Sequence, residues 1–251
     1  MNLTKPILAV AVFLAATLTQ GQALSDALSD ALQDPARPQT DLERDATSKP
    51  ATVLRFFGLP EGGVVLDLFA GSGYYSEIIG KTIGPRGKVI LHNNAAYLNF
   101  AGAELTERLH NNRLVNVERY DREVDAIDLA DDSVDMILMV LTYHDLYYKT
   151  EGWDLDPDTF FDMVHRVLKP AGVLAVVDHI AVTGSGVDAA QELHRIDPEF
   201  ARTDIEGRGF ELVGTLDALE NSADPLNISV FDPEIRRKTS RFVYKFVEPG
   251  S

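Results

Sequence analysis

The stretch VVLDLFAGSGYYSE, Val64 to Glu77, constrains the fold more than any other part of the chain. Val64 to Leu68 is an apolar run around one acid, Asp67, the pattern of a strand buried on both faces of a parallel sheet. Ala70, Gly71, Ser72 and Gly73 follow as a tight loop of small residues, and Tyr74 opens a helix. Glycine lets a backbone approach a ligand closely, and a helix start presents unpaired N–H groups to it. A strand, an acid, a small-residue loop and a helix together predict a small-molecule site. The alternative is a tight turn with no ligand.

Beyond this unit the apolar pattern alternates between strand and helix. Strands are expected at Gly87–Leu91, Leu114–Glu118, Val134–Thr142, Gly172–Asp178, Phe210–Leu216 and Phe242–Val247. Helices are expected at Ala95–His110, Thr159–Leu168 and Pro198–Arg208. This alternation predicts an α/β fold with a doubly wound sheet, helices on both faces and a single domain over residues 45–251. Ligands of such sheets lie beyond the carboxyl ends of the strands, so the residues after each strand carry the chemistry.

Residues 6–18 form an apolar run behind Lys5, too short to span a bilayer and suited to the core of an export signal. Gly21 and Ala23 put small residues where a signal peptidase reads. The expectation is a signal peptide over residues 1–23, cleaved after Ala23; the alternative is an uncleaved N-terminal anchor. The product would be exported, periplasmic in a Gram-negative cell, and without stable membrane association. Residues 24–44 hold the repeat LSDALSDAL and then Pro35 and Pro38, and are expected to be a flexible N-terminal segment. Cysteine is absent, which excludes disulfides, thiolate metal sites and a thiol nucleophile, and suits an oxidising compartment. With 23 basic against 39 acidic residues the net charge is −16. Such a surface repels phosphate backbones and anionic lipid, which excludes nucleic acid and favours a small-molecule partner.

His92, His144 and His179 each follow a predicted strand, so their side chains are expected at one crevice. His144 or His179 suits a general base at neutral pH, with Asp145 as a further catalytic candidate. Tyr143, Tyr147, His194 and Arg195 are candidate substrate contacts, and Tyr148 and Trp153 extend an aromatic wall. His144, Asp145, Asp178, His179 and His194 also offer ligands to a divalent metal. No fixed spacing of the H-E-x-x-H kind singles out a ligand set, so no residue is assigned to a metal. The remaining alternative makes them hydrogen-bonded pairs that fix loops. Arg236, Arg237, Lys238 and Arg241 form the one basic cluster, for an anionic substrate or for surface pairing.

The segments VLDLFAGSG, GKVI, DDSVDMIL and VLKPAGVLAVVD resemble the class I S-adenosylmethionine-dependent methyltransferases. RDATSKPATVLRFFGL, LHNNAAY, LTYHDLYY, VVDH, LHRIDPE and VFDPEIRRKTSRFVYKF are similar to a group of exported bacterial methyltransferases defined by sequence. The resemblance implies a mostly parallel, seven-stranded Rossmann-like sheet with an antiparallel strand near the C-terminus. It implies S-adenosylmethionine as cofactor and transfer of its methyl group to oxygen or nitrogen of a small-molecule acceptor. It places cofactor contacts at Asp67, Ala70, Gly71, Ser72 and Gly73. Asn93 stands where a carboxylate takes the ribose hydroxyls, and Glu123, with Asp121 and Asp125 close, is best placed where an acid meets the adenine amine. Phe69 replaces a usual glycine, and Asn93 replaces the usual acid and its charge-assisted bond. These departures keep an alternative open: a divergent protein of this fold that binds another small molecule or a metal in the same pocket.

Overall fold

The structure, a computed structural model, describes residues 21–250. Most of the predicted signal peptide, residues 1–20, lies outside the described residues. Helices α1 (residues 21–33), α2 (Gln39–Ser48) and α3 (Pro50–Phe57) lead into strand β1 (Val64–Leu68), helix α4 (Tyr74–Thr82) and strand β2 (Lys88–Asn93). Helix α5 (Ala95–Leu109), strands β3 (Val117–Asp121) and β4 (Val134–Val140), and a short hairpin of β5 (Lys149–Thr150) and β6 (Trp153–Asp154) follow. Helix α6 (Pro157–Val167), strand β7 (Leu168–His179), helices α7 (Asp188–Leu193) and α8 (Pro198–Gly207), and strands β8 (Glu211–Thr215) and β9 (Arg241–Val247) complete the chain.

The main sheet has seven strands in the order β3-β2-β1-β4-β7-β9-β8. The first five are parallel, and β9 runs antiparallel to both its neighbours. This is the sheet expected from the sequence. Strand order reverses between β1 and β4, which puts the crevice beyond their carboxyl ends. Alternate side chains of β1 serve opposite layers. Leu66 and Leu68 pack with Ile137, Met139, Phe160 and Phe161, while Val65 packs with Leu54, Phe57, Ile78 and Ile79.

Residues 24–44 depart from the flexible segment expected of them. The leucines of LSDALSDAL lie on one stripe of α1, and Leu28 and Ala31 are buried in the layer that holds Leu54 and Phe57. Pro35 falls after α1 and Pro38 caps α2, so neither interrupts a helix. Arg37 ties the two helices together, donating to the Leu32 carbonyl at 2.8 Å and to both oxygens of Asp45 at 2.7 and 2.8 Å.

Asp67 lies on the same face of β1 as Val65, turned toward α4 and away from the crevice. Its carboxylate is buried and accepts a 2.6 Å hydrogen bond from Ser76 Oγ. Burial raises its pKa to about 7, against the pull of the Ser76 hydroxyl and the Arg44 charge. The folded state therefore holds this proton more tightly than the unfolded chain, whose aspartate titrates near 3.8. Asp67's contribution to stability is full below the unfolded pKa, falls as pH rises and is lost as pH passes about 7. Asp67→Asn stays neutral and still accepts from Ser76. Thermal unfolding should show the variant gaining on the parent between pH 4 and pH 8. An unchanged difference across that range would contradict the assignment.

Candidate functional site

The crevice chemistry is set by the neighbouring ends of β4 and β7. Val140 pairs with Val177, and the Leu141 amide donates to the Val177 carbonyl at 2.7 Å. Leu141 then turns the chain with φ 62°, and His144–Leu146 form a single 3₁₀ turn. That turn lays His144 beside Asp178, one residue before the end of β7. The Asp178 carboxylate is fully buried and saturated. It accepts the backbone N–H groups of His144 and His179, each at 2.7 Å, and faces His144 Nδ1 at 2.8 Å.

The two predicted base histidines differ in charge. Burial opposes a charge on His144, but the carboxylates of Asp178 and Asp145 outweigh it and hold its pKa at about 9. Burial drives His179 well below its ordinary value, helped by the neighbouring His144, Arg241 and Arg195 cations. At neutral pH His144 is an imidazolium between two acids, and His179 is a neutral imidazole with Nδ1 2.7 Å from Thr239 Oγ1. Burial resists ionisation of Asp145, yet the His144 and His194 rings and the Tyr97 hydroxyl hold its carboxyl below the usual range.

These groups open onto a cavity of about 600 Å³. One wall is the loop backbone of Ala70, Gly71 and Ser72; the other holds His144, Asp145, His179 and His194. Tyr97, Phe100, Tyr148, Trp153 and Phe231 supply aromatic surface, and Arg44, Arg236 and Arg237 supply positive charge. Four residues other than glycine line this cavity in the left-handed backbone region: Phe69, Leu141, His194 and Arg237. Each such position costs about 1–3 kcal/mol, and such strain clusters at functional sites.

The structure separates the predicted residues. Ala70, Gly71, Ser72, His144, Asp145, His179 and His194 all border the cavity. Gly73 lies behind it as the cap of α4, at φ 82°; a Cβ there would stand 2.7 Å from Leu91 Cδ1. Tyr143 and Tyr147 do not reach the cavity, because both hydroxyls donate to Asp204 at 2.6 Å on the far side of the turn. Arg195 is buried in a two-pronged pair with Asp224, both contacts 2.9 Å, and its guanidinium also donates to the Ile180 and Ile228 carbonyls. It fixes chain segments and is not a substrate contact. His92 is buried behind Phe69, their ring centroids 5.1 Å apart, and burial lowers its pKa to about 4. Tyr97 and Phe100 were missed; their one signal was aromatic spacing of three in the helix after the second strand.

Asn93 and Glu123 act differently from the residues they replace or match. Asn93 is fully buried, accepting the Gly71 amide at 2.8 Å and donating to the Gly71 carbonyl at 2.9 Å. It clamps the loop, and its fully buried amide does not border the cavity. Glu123 accepts the Ala95 amide at 3.1 Å and the Asn94 side chain at 3.3 Å at the start of α5. It borders a second cavity of about 350 Å³. Trp153 lines both cavities and packs on Phe69 and Tyr97, with ring centroids 5.3 and 5.6 Å away.

A family profile described as "Methyltransferase domain" matches residues 59–206, more than half of the chain. The chain belongs to this methyltransferase family. Among curated proteins it is similar to the ubiquinone/menaquinone biosynthesis C-methyltransferase UbiE of Hydrogenovibrio crunogenus, 28% identical over 127 residues. That match covers 50% of this chain and 46% of the relative, so the chain spans about half the length of the curated relatives it matches. Among solved structures it is similar to an S-adenosylmethionine-dependent methyltransferase from Aquifex aeolicus, with TM-score 0.59 and 24% identity. That likeness covers 89% of this chain and 98% of the other. The [4+2]-cyclase SpnF aligns with TM-score 0.57 and 14% identity over 92% of this chain and 95% of its own. At these identities the structural likenesses establish the fold.

Family and fold imply S-adenosylmethionine as the cofactor, and the loop fits one end of it. Backbone of residues 70–72 borders the cavity, and a Cβ on Gly71 would meet nothing nearer than Ala101 Cβ at 4.0 Å, so the loop can be approached closely. Arg44 lines the same cavity with its guanidinium over the Tyr74 ring and would offer positive charge to the amino-acid carboxylate. The ribose position does not fit in the same way, because Asn93 is buried against the loop. Restoring the usual acid is therefore expected to harm this protein. Asn93→Asp removes the donor to the Gly71 carbonyl and sets an anion against it, lowering stability by about 1–3 kcal/mol in denaturant titration. Unchanged stability together with tighter cofactor binding would show that Asn93 is a ribose contact after all.

Proposed function

We propose that the chain is an exported methyltransferase that carries a methyl group from S-adenosylmethionine to oxygen or nitrogen of a small, flat, anionic acceptor. One observation carries this reading: a single cavity has the glycine loop as one wall and the histidine–aspartate cluster as the other. When bound, the cofactor supplies an electrophilic methyl group on a sulfonium. The protein's own task is mostly placement, since holding two reactants in line accounts for much of such a rate. Tyr97, Tyr148 and Trp153 offer faces to a flat ring. Arg236 and Arg237 offer charge to an anion; no carboxylate of the described residues forms an ion pair with either.

His179 takes the acceptor's proton in this scheme. With its Nδ1 protonated toward Thr239 Oγ1, 2.7 Å away, its Nε2 would be the acceptor, and Asp178 fixes its backbone. His144 does not serve, because it is already protonated at neutral pH. Its positive charge balances Asp145 and Asp178 beside the acceptor. A second reading has support in Asn93 and in the Trp153 wall: the pocket holds a ligand without methyl transfer, and a solved protein of this fold is named a [4+2]-cyclase.

Calorimetric titration of S-adenosylhomocysteine into the full chain separates the two. Methyl transfer predicts micromolar binding, about −8 kcal/mol. No heat at millimolar ligand would leave only the second reading. Once an acceptor is found, His179→Ala should lower kcat by about 100-fold or more with cofactor affinity unchanged. Export is tested by expression in a Gram-negative cell. The account expects the chain in the periplasmic fraction with Leu24 at its N-terminus; an intact chain in the cytosol would contradict it.

A further inference from the structure

His144, Asp145 and His194 bring three metal-ligating atoms within 4.8 Å of one another. His144 Nε2 lies 3.3 Å, and His194 Nδ1 3.8 Å, from the same oxygen of Asp145. Ligands about 2.0–2.1 Å from a tetrahedral ion stand about 3.3 Å apart. One ion therefore fits between these atoms with small side-chain adjustments.

The remaining polar atoms of two of these residues are already held from behind. His144 Nδ1 faces the buried Asp178 carboxylate at 2.8 Å, and the Tyr97 hydroxyl donates to the other Asp145 oxygen at 2.7 Å. A metal-binding histidine characteristically gives its second ring nitrogen to a carboxylate, which fixes both tautomer and orientation. His194 adopts φ 52° at the end of α7, a strained backbone that sets its ring edge-on to His144 at 5.4 Å. All three residues border the main cavity, so an ion there has protein on one side and open space on the other. Three protein ligands with an open position describe a reactive site; structural sites are closed by a fourth ligand.

We propose that His144 Nε2, Asp145 Oδ1 and His194 Nδ1 bind a first-row divalent transition ion of the zinc, cobalt or iron class, with its open position toward the acceptor side of the cavity. Two imidazoles select this class over magnesium and calcium, which take oxygen ligands. The ion takes the place of the proton on His144 Nε2 and draws an acceptor oxygen toward the glycine loop as a Lewis acid. Only this last role depends on the methyl-transfer reading. Ion binding is measured without methyl donor or acceptor, so failure of either leaves the other standing.

The test is cobalt titration of the full, tag-free chain after chelator treatment, read by visible absorption. One equivalent of Co²⁺ should give ligand-field bands of a low-coordinate nitrogen–oxygen site, Zn²⁺ should bleach them, and equimolar Mg²⁺ should not. His194→Ala lies at the cavity edge and leaves the buried Asp178 contacts intact. It should weaken Co²⁺ by about 100-fold or more, since even outer-partner changes cost about 10–100-fold. His165→Ala, a histidine paired with Glu248 outside the cavity, should bind Co²⁺ as the parent does. Absence of bands, equal binding by His194→Ala, or displacement by equimolar Mg²⁺ would each overturn the proposal.

Discussion

The candidate site depends on one buried carboxylate. Asp178 carries no exposed surface, and its two oxygens receive two backbone amides and one imidazole. An unpaired charge at that depth is strongly destabilising, so the carboxylate dictates where its partners sit. It pins the His144 turn to the end of β7, makes His144 a cation and holds the backbone of His179. His179 in turn stays neutral partly because His144 beside it is charged. A single acid at the end of a central strand thus sorts two neighbouring imidazoles into opposite protonation states.

The glycine loop shows a second dependence. In this chain its geometry is imposed from outside by Asn93, which holds both the amide and the carbonyl of Gly71. Phe69 occupies a left-handed position with φ 51°, and its ring packs against His92, Tyr97 and Trp153. The two departures noted in the sequence are one structural arrangement. An aromatic cluster fills the space beside the loop, and an amide replaces the acid that would face a ribose. On the proposed reading, methyl transfer would rely on the loop and the cavity, with no ribose carboxylate.

The fold was legible because its signal is periodic. Apolar runs buried on both faces, such as Val64–Leu68 and Val134–Val140, have few other uses, and the glycine loop fixes which strand starts the sheet. The site was legible only in part. His144, Asp145 and His179, which follow strand ends in the sequence, border the cavity, since strand direction determines where those residues emerge. Side-chain direction is not written in the same way. Tyr143 and His144 are adjacent, yet the 3₁₀ turn sends the tyrosine to Asp204 and the histidine to Asp178. His194 and Arg195 diverge as well, because φ 52° at His194 turns one toward the cavity and leaves the other to bury its charge against Asp224. Residues 24–44 misled for a related reason: the leucine stripe of α1 needs the far-off partners Leu54 and Phe57, which local composition does not reveal.

The most direct test of this account is amide hydrogen exchange, followed by NMR, in Asp178→Asn. The isosteric amide keeps the volume but cannot accept two N–H groups and an imidazole together. The account predicts a local effect: the His144 and His179 amides lose protection while Leu138, Met139 and Val176 in the neighbouring strands keep theirs. Unchanged protection at His144 and His179 would contradict it, because the turn would then be held by something other than the Asp178 carboxylate.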